Sequence, residues 1–148
     1  MNRTDVLSAL EAHLVHSLEH ARNRVASLQE SLGAESKSSA GDKHETGRAM
    51  IQHELEQAVG AQNRSAQALA GFRKIAANHP SDTVATGSLV RTPRGWFFTG
   101  MGLGKISVGG SDVFCISLAS PIGQALKGAK AGSNVAFQNG SLEVLEVG

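Results

Sequence analysis

The sequence predicts an α+β protein with an N-terminal antiparallel α-helical coiled-coil hairpin over residues 1–79. A small antiparallel sheet domain with one helix is predicted to follow over residues 80–148. Three observations predict this fold class. Apolar residues recur every three or four positions as far as Ile75, which is a helical period. The sequence "NHP" ends that pattern at Pro80. Beyond it, short runs of β-branched and aromatic residues alternate with glycine, proline and asparagine, as is typical of strands and tight turns.

The first arm of the hairpin is predicted from a single narrow apolar stripe. Its members are Leu7, Leu10, Leu14, Leu18, Ala21, Val25, Leu28 and Leu32. So narrow a stripe is typical of a coiled-coil seam rather than of a globular core. Gly33, directly after the stripe, suits the end of a helix.

The second arm carries a matching stripe. Its members are Ile51, Leu55, Ala58, Gln62, Ala66, Leu69, Phe72 and Ile75. Joined by "AESKSSAG", the two arms most simply fold back on each other, and about 30 residues per arm give a length of roughly 45 Å. Because the two stripes satisfy each other within one chain, we expect an elongated monomer.

The second half contains strand signals separated by turn signals. The segments "SLVRT" and "GWFFTGM" flank a Pro-Arg-Gly turn, and "SDVFCISL" is a third strand. The segments "NVAFQ" and "LEVLEV" flank Asn139-Gly140, a strong hairpin signal. The glycines of "GMGLGKISVGG" indicate turns and bulges rather than a phosphate loop, because no Gly-Lys-Ser/Thr ending and no helix follow them.

One short helix is predicted within "SPIGQALKG". Ser120 suits the N-cap, Pro121 the first helical position, and Gly128 lies just past the end. A helix start of this kind accounts for Pro121 and for a closely packed Gly123 without any partner.

The charge distribution argues against two classes of partner. The first 79 residues hold 9 Lys and Arg against 9 Asp and Glu, and the remaining residues hold 5 against 4, which gives a net charge of +1. Nonspecific binding to nucleic acid or to an anionic membrane therefore has little electrostatic support. No apolar run approaches the ~20 residues that span a bilayer, and "MNRTDVLSAL" lacks the apolar core of a secretory signal. We expect a cytoplasmic protein, and the single cysteine, Cys115, in "DVFCISL" agrees with a reducing compartment and a buried thiol.

Two acids stand where the second helix begins, in the stretch "SSAGDKHETGRAM". Asp42 and Glu45 have the spacing of a capping box, in which the N-cap side chain and the side chain three residues later each accept a backbone N–H. Two carboxylates are also what a Mg²⁺ ion commonly takes from a protein. From the spacing alone the structural role is favoured, and the position at the end of a hairpin leaves the chemical role open.

The segment "ISLASPIGQALKGAKAGSNVAFQNGSLEVLEV" resembles the C-terminal domain of the bacterial Gre transcript-cleavage factors, whose pattern includes Ser-Pro-hydrophobic-Gly-x-Ala-Leu. The first half resembles the coiled-coil hairpin of the same family, whose tip carries Gly-Asp-x-x-Glu, here Gly41, Asp42 and Glu45. The family tip continues with Asn and a tyrosine-containing stretch, whereas this chain has Thr46-Gly47-Arg48 and no tyrosine. The resemblance is therefore to a divergent branch.

The resemblance implies a factor that docks on RNA polymerase. An FKBP-like second domain would sit at the rim of the secondary channel, with the hairpin reaching toward the active centre. Asp42 and Glu45 would help hold a catalytic Mg²⁺ shared with the polymerase and orient the water that hydrolyses backtracked RNA. Contact with the nascent RNA would be indirect, and the chain alone would be neither an enzyme nor a holder of cofactors. The family block that faces the rim corresponds to Ser120, Pro121, Ile122, Gly123 and Gln124.

Three alternatives to this role are compatible with the sequence. The first is a regulator that inserts its tip into the same channel without promoting cleavage. The second is a peptidyl-prolyl isomerase, which needs an aromatic-lined pocket. The third is a coiled-coil oligomerisation protein with no enzyme partner.

Several other side chains invite a functional interpretation. His13, His16 and His20 lie near one another on the first helix, but no fourth zinc ligand is evident, so a solvated face is favoured. His44 lies between the tip acids, where an exposed loop histidine is favoured over a role in tuning charge or contacting phosphate. The adjacent residues 96–98, Trp-Phe-Phe, cannot all face inward, so an exposed aromatic there is a candidate partner contact.

Overall fold

The computed structural model describes residues 1–37, 42–79 and 81–148, and for residues 36, 37 and 42–45 it describes the backbone alone. Two long helices pack against each other and are followed by a small domain of mixed sheet with one short helix, so the predicted α+β class is confirmed. The elements are α1 (Arg3–Lys37), α2 (Asp42–Ala76), β1 (Leu89–Thr92), β2 (Gly95–Thr99), β3 (Gly104–Val108), β4 (Ser111–Ile116), α3 (Pro121–Leu126), β5 (Asn134–Phe137), β6 (Gly140–Glu143) and β7 (Glu146–Val147).

The described chain divides into two compact units. The helical unit comprises Ala12–Gly71, and the sheet unit comprises Met1–Glu11 together with Phe72–Gly148. The first turns of α1 and the last turn of α2 thus belong to the same unit as the sheet.

Helix α1 starts at a capped end and passes through its predicted stop. The Asn2 side-chain oxygen accepts a hydrogen bond from the Asp5 backbone N–H at 2.8 Å, which is an N-cap contact. The helix continues past Gly33 to Lys37, so the prediction that Gly33 ends it is wrong. One glycine costs only about 1 kcal/mol in a helix relative to alanine, and good helix formers flank this one.

The seam of the helical unit follows the predicted stripes with one error. Val25 and Leu28 of α1 pack with Ala58 of α2, and Ile51 and Leu55 lie against this cluster. Arg24 pairs with Glu54 and Glu11 pairs with Arg73, so later residues of α1 meet earlier residues of α2 and the two helices run antiparallel, as predicted.

The error in the predicted seam lies in the later turns of α2. Ala66, predicted for the seam, is exposed, whereas Ser65 is half-buried. The seam therefore steps by three residues after Gln62 where the prediction stepped by four.

The sheet unit contains a five-stranded sheet in the order β3-β4-β2-β1-β7 and a separate two-stranded sheet of β5 and β6. Strands β2 and β4 pair in parallel, so the sheet is mixed rather than wholly antiparallel as predicted. The difference arises because Gly104–Val108, predicted as turns and bulges, forms edge strand β3. Strand β4 then returns between β3 and β2.

Two hairpins in the sheet unit turn on residues with positive φ. Gly109 and Gly110 have φ of 56° and 82°, which joins β3 to β4. Between β5 and β6 the turn residues are Gln138 and Asn139, with φ of 51° and 35°, so the turn precedes the predicted Asn139-Gly140 pair by one residue. The predicted strand "LEVLEV" is divided between β6 and β7, because β7 leaves β6 and pairs with β1.

One core cluster of the sheet unit lies between the larger sheet, α3 and the smaller sheet. It contains Val84, Val90, Phe97, Leu126, Ala129, Leu142 and Val144. The Phe97 and Phe114 rings lie 5.5 Å apart between centroids beside it. Phe97 and Phe98 point to opposite faces of the sheet and are both buried, so both faces are covered at this place. Trp96 is half-buried, and none of the three residues is fully exposed.

Among the described residues, no helix is both long enough and apolar enough to cross a membrane.

Candidate functional site

The acid pair lies where the two long helices are joined. Helix α1 ends at Lys37, α2 begins at Asp42, and only residues 38–41 connect them. Asp42 is the first residue of α2, and Glu45 lies in its first turn. Negative charge in the first turn of a helix is stabilised by the helix dipole. The side chains of Asp42, His44 and Glu45 lie outside the described residues, so both the capping role and the metal role of the acid pair stay predictions.

A third carboxylate lies near this end of the helices. A Cβ atom placed on Gly47 would stand 2.7 Å from Oε1 of Glu35, so the Glu35 carboxylate lies directly against the Gly47 backbone. Any larger residue at position 47 would displace it. Glu35 was not singled out from the sequence, although its position three residues after Leu32 places it on the seam side of α1.

Two hydrogen bonds of the Ser120 hydroxyl, one accepted and one donated, stabilise the start of α3. The hydroxyl accepts from the Gly123 backbone N–H at 3.1 Å and donates to the Ser117 carbonyl at 2.6 Å. The backbone of Ser120 is extended, with φ of −67° and ψ of 158°, and Pro121 follows as the first helical residue. The predicted N-cap and the predicted position of Pro121 are confirmed.

Gly123 is required by a close backbone approach. A Cβ atom there would lie 2.1 Å from the Ser117 carbonyl oxygen and 2.7 Å from the Leu118 Cα. Real Cβ contacts essentially never come so close, and the atoms in the way belong to the main chain. Glycine is therefore the only residue that this packing accepts without a shift of the backbone.

The remaining residues of this block divide between core and surface. Ile122 is half-buried and packs against the core cluster that contains Leu126. Pro121 and Gln124 are exposed, and the Gln124 side-chain amide donates to the Ala119 carbonyl at 3.2 Å. Among the five residues predicted to dock, these two offer the accessible surface. The docking role itself stays a prediction.

The histidines of α1 do not form a metal centre. His13, His16 and His20 are all exposed. Within the described residues, no group of three or more His, Cys, Asp or Glu side chains is placed to hold a metal ion.

Cys115 is a buried structural residue of β4. It is 2% exposed, and burial raises the pKa of its thiol from 9.0 to about 11. A thiol with so high a pKa is almost entirely protonated near neutral pH and is a poor nucleophile.

Two cavities of the sheet unit bear on the peptidyl-prolyl isomerase alternative, and only the smaller, of about 220 Å³, has an aromatic residue, Trp96, in its lining. A cavity of about 670 Å³ opens between the start of α1 and the turn that joins β3 to β4. It is lined by Met1, Asp5, Ser8, Ala9, Val108, Gly109 and Ser111. No aromatic side chain lines it, so this cavity gives no support to the peptidyl-prolyl isomerase alternative.

Comparison with known proteins finds distant structural likeness and no match by sequence. No protein-family model matches the chain, and no curated protein matches it either. Among solved structures, the chain is similar to one described as "Structure of the transcription factor Gfh1", with 18% sequence identity and a TM-score of 0.38. The match covers 94% of this chain and 93% of that one. At this identity and TM-score the likeness carries no argument about function.

Proposed function

We propose that the chain is a Gre-like transcription elongation factor. It binds RNA polymerase, places the joined end of α1 and α2 in the secondary channel, and assists cleavage of backtracked RNA through Asp42 and Glu45. In this proposal the chain is an accessory factor, and the polymerase carries out the hydrolysis.

The observation that carries the proposal is the start of α2 at Asp42. Both acids of the Gly-Asp-x-x-Glu pattern therefore belong to the first turn of α2. From Asp42 to Gly71, where the helical unit ends, α2 has 30 residues, or about 45 Å of helix. An acid pair at the end of so long a helix suits delivery of charge into a deep, narrow site.

The donor set of the acid pair fits magnesium chemistry. Mg²⁺ is commonly held by one or two carboxylates, with waters and substrate phosphates completing its six oxygen ligands. Asp42 and Glu45 lie three residues apart in one helical turn and thus lie along one side of the helix. When bound, the ion would activate water for attack on the phosphodiester, and the role of the two acids would be to bind and orient.

The Ser120–Gln124 block supports the proposal in a second way. Together with Ala125 and Leu126 it matches the family pattern Ser-Pro-hydrophobic-Gly-x-Ala-Leu, and the cap by Ser120 and the close approach at Gly123 give that pattern a definite local structure. The resemblance therefore rests on residues that build a specific turn, in addition to their order in the sequence.

The test is RNA cleavage in backtracked polymerase complexes with the double variant Asp42→Asn, Glu45→Gln. Asn and Gln retain side-chain oxygens that can cap a helix, but both negative charges are lost. A neutral amide is a poor Mg²⁺ ligand, so we expect the double variant to lose cleavage stimulation by orders of magnitude. It should still compete with the unaltered chain for polymerase.

A matched control removes two charges elsewhere on the helices. Glu19→Gln with Glu30→Gln changes two exposed acids of α1 and alters the net charge by the same amount. We expect this control to retain cleavage stimulation. Full activity of the Asp42 and Glu45 double variant would rule out the metal role.

The alternative is a regulator of the same channel that does not promote cleavage. Gly47 favours this alternative, because a glycine five residues after Asp42 weakens α2 by about 1 kcal/mol relative to alanine. The weakening falls next to the helical turn that must hold Asp42 and Glu45 in fixed positions for a metal role. If the unaltered chain binds polymerase and does not promote cleavage, the alternative replaces the first proposal.

The proposed docking role of the block around α3 has its own test. Gln124 is exposed, and its side-chain amide donates to the Ala119 carbonyl on the surface, so Gln124→Glu should leave the fold intact. The added negative charge should weaken polymerase binding. Gln138→Glu, at an exposed turn between β5 and β6, is the matched control. Unchanged affinity of the Gln124 variant would leave this helix with its structural role alone.

A further inference from the structure

In the first turns of α1 the structure buries Val6, whereas Leu7, predicted for the stripe, is only half-buried. Val6 and Leu10 are buried more completely than a pair of helices can achieve. Val6 and Leu10 are both 0% exposed, whereas Leu18, Val25 and Leu28 in the helical unit are 6–9% exposed. In a two-helix seam each apolar side chain has solvent on its flanks, so a small exposed fraction remains. Complete burial of Val6 and Leu10 therefore requires a third element.

One face of the larger sheet needs a cover that the small elements do not provide. Leu89, Phe98 and Cys115 are register partners across β1, β2 and β4, so they share this face, and all three are buried. The opposite face, with Val90 and Phe97, packs against α3 and the smaller sheet. The ends of α1 and α2 are the remaining helical segments of the sheet unit.

Close approaches confirm that the end of α2 reaches the sheet. A Cβ atom placed on Gly87 would lie 3.1 Å from Cγ2 of Ile75, and one placed on Gly100 would lie 3.5 Å from Cδ1 of the same residue. Gly100 directly follows β2. Ile75 therefore packs between the loop before β1 and the end of β2.

Arg3 joins the start of α1 to the end of α2 and to the loop before β1 by hydrogen bonds. Its Nε donates to the Gly87 carbonyl at 2.9 Å, and its Nη2 donates to the Asn78 carbonyl at 3.2 Å. Asn78 follows the end of α2, where carbonyl groups attract positive charge. Gly87 in turn donates its N–H to the Thr99 carbonyl at 2.7 Å, so the contact continues into β2.

We infer that the start of α1 and the end of α2 stabilise the sheet unit by covering one face of its larger sheet, and that the hydrogen bonds of Arg3 hold these two helix ends in place. The stability of β2 and β4 then depends on residues of α1 that precede Ala12, and does not depend on residues of α1 within the helical unit. The unit that folds with the sheet therefore includes residues before residue 80, where the sequence predicts the boundary between the two domains. This inference is independent of the proposed function.

The test compares two leucines of one helix by hydrogen exchange in the full-length chain. Leu10→Ala and Leu18→Ala remove the same buried atoms eight residues apart, the first in the sheet unit and the second in the helical unit. We expect Leu10→Ala to speed exchange of the β2 and β4 amides at least ~30-fold, because a buried Leu→Ala change is among the most destabilising core substitutions. Leu18→Ala should leave those amides within about twofold and speed exchange in residues 51–69 instead.

A second variant keeps the test decisive if Leu10→Ala does not fold. Arg3→Gln removes the guanidinium contacts without creating a core cavity, and it should speed exchange of the Gly87 and Thr99 amides about tenfold. Equal effects of the two leucine variants on β2 and β4, or unchanged Gly87 and Thr99 amides in Arg3→Gln, would overturn the inference.

Discussion

Replacing Gly123 by alanine is the substitution for which the structure gives the most definite magnitude. The new Cβ would stand 2.1 Å from the Ser117 carbonyl oxygen, where ordinary contacts lie at 3.4–4 Å, so the main chain must move by more than 1 Å. Overpacking of this kind costs about 1–3 kcal/mol and occasionally more. Alanine recovers about 1 kcal/mol through its higher helix propensity. Because the approach is so close, we take the upper end of that cost and expect a net loss of about 2 kcal/mol in the free energy of unfolding.

Gly102→Ala is the matched control for this prediction. A Cβ atom there meets the same residue, Ser117, but at 4.0 Å, and Gly102 does not have the positive φ that favours glycine. It should change stability by no more than about 0.5 kcal/mol. The assay is urea unfolding followed by fluorescence of Trp96, the single tryptophan, which lies half-buried in β2 of the sheet unit. Equal midpoints for the two variants would refute the packing argument at Gly123.

Three further predictions concern the sheet unit. Burial raises the Cys115 pKa from 9.0 to about 11, so the unfolded thiol ionises before the folded one as the pH rises. The stability of the protein should therefore be highest below pH 9 and fall between pH 9 and 11. Urea midpoints measured across that range should show the fall, and Cys115→Ala should flatten it. Thr99→Val should lower the free energy of unfolding by about 1–3 kcal/mol, because the buried Thr99 hydroxyl donates to the Ala85 carbonyl at 2.5 Å. Thr99→Ser keeps the hydroxyl and should recover most of that loss in the same urea unfolding assay. Gln138→Gly should raise the unfolding midpoint, because glycine adopts the backbone φ of 51° without the strain that a side chain adds. Ala136→Gly within β5 is the control and should lower the midpoint. A lower midpoint for both variants would contradict the assignment of strain to the turn.

The helical half of the fold was predictable because its signal is periodic and local. The stripes from Leu10 to Leu28 and from Ile51 to Phe72 mark seams that the structure contains, since side chains three and four residues apart share a helix face. The errors lie where the local signal is weak. Gly33 does not end α1, and the exposure of Ala66 depends on how two helices meet, which neither sequence segment specifies alone.

The sheet was harder to predict because strand order depends on contacts between distant segments. Edge strand β3 was missed because Gly104, Gly109 and Gly110 dominate the composition around it, although the two later glycines do form the predicted kind of turn. The parallel pairing of β2 and β4 follows from that missed strand. Local propensity is a weak guide to such pairing, because it measures side-chain fit to a surface that the sequence alone does not display.

The candidate site shows the same division between local and long-range signals. The cap at Ser120 and the tight packing at Gly123 follow local rules and were predicted from "SPIG". The approach of Glu35 to Gly47 joins two different helices and was not predicted. The roles of Asp42 and Glu45 concern chemistry in a partner's active centre, for which the residues supply only the donor type and the position.

Binding to RNA polymerase is the property on which the proposed function depends. The full-length chain, mixed with the core RNA polymerase of the organism that encodes it, would be followed by gel filtration with quantification of the chain in the polymerase fractions. We expect one chain bound per core enzyme, with displacement by a second factor that occupies the secondary channel. Elution of the chain separately from the polymerase at micromolar concentrations of both would contradict the proposed function.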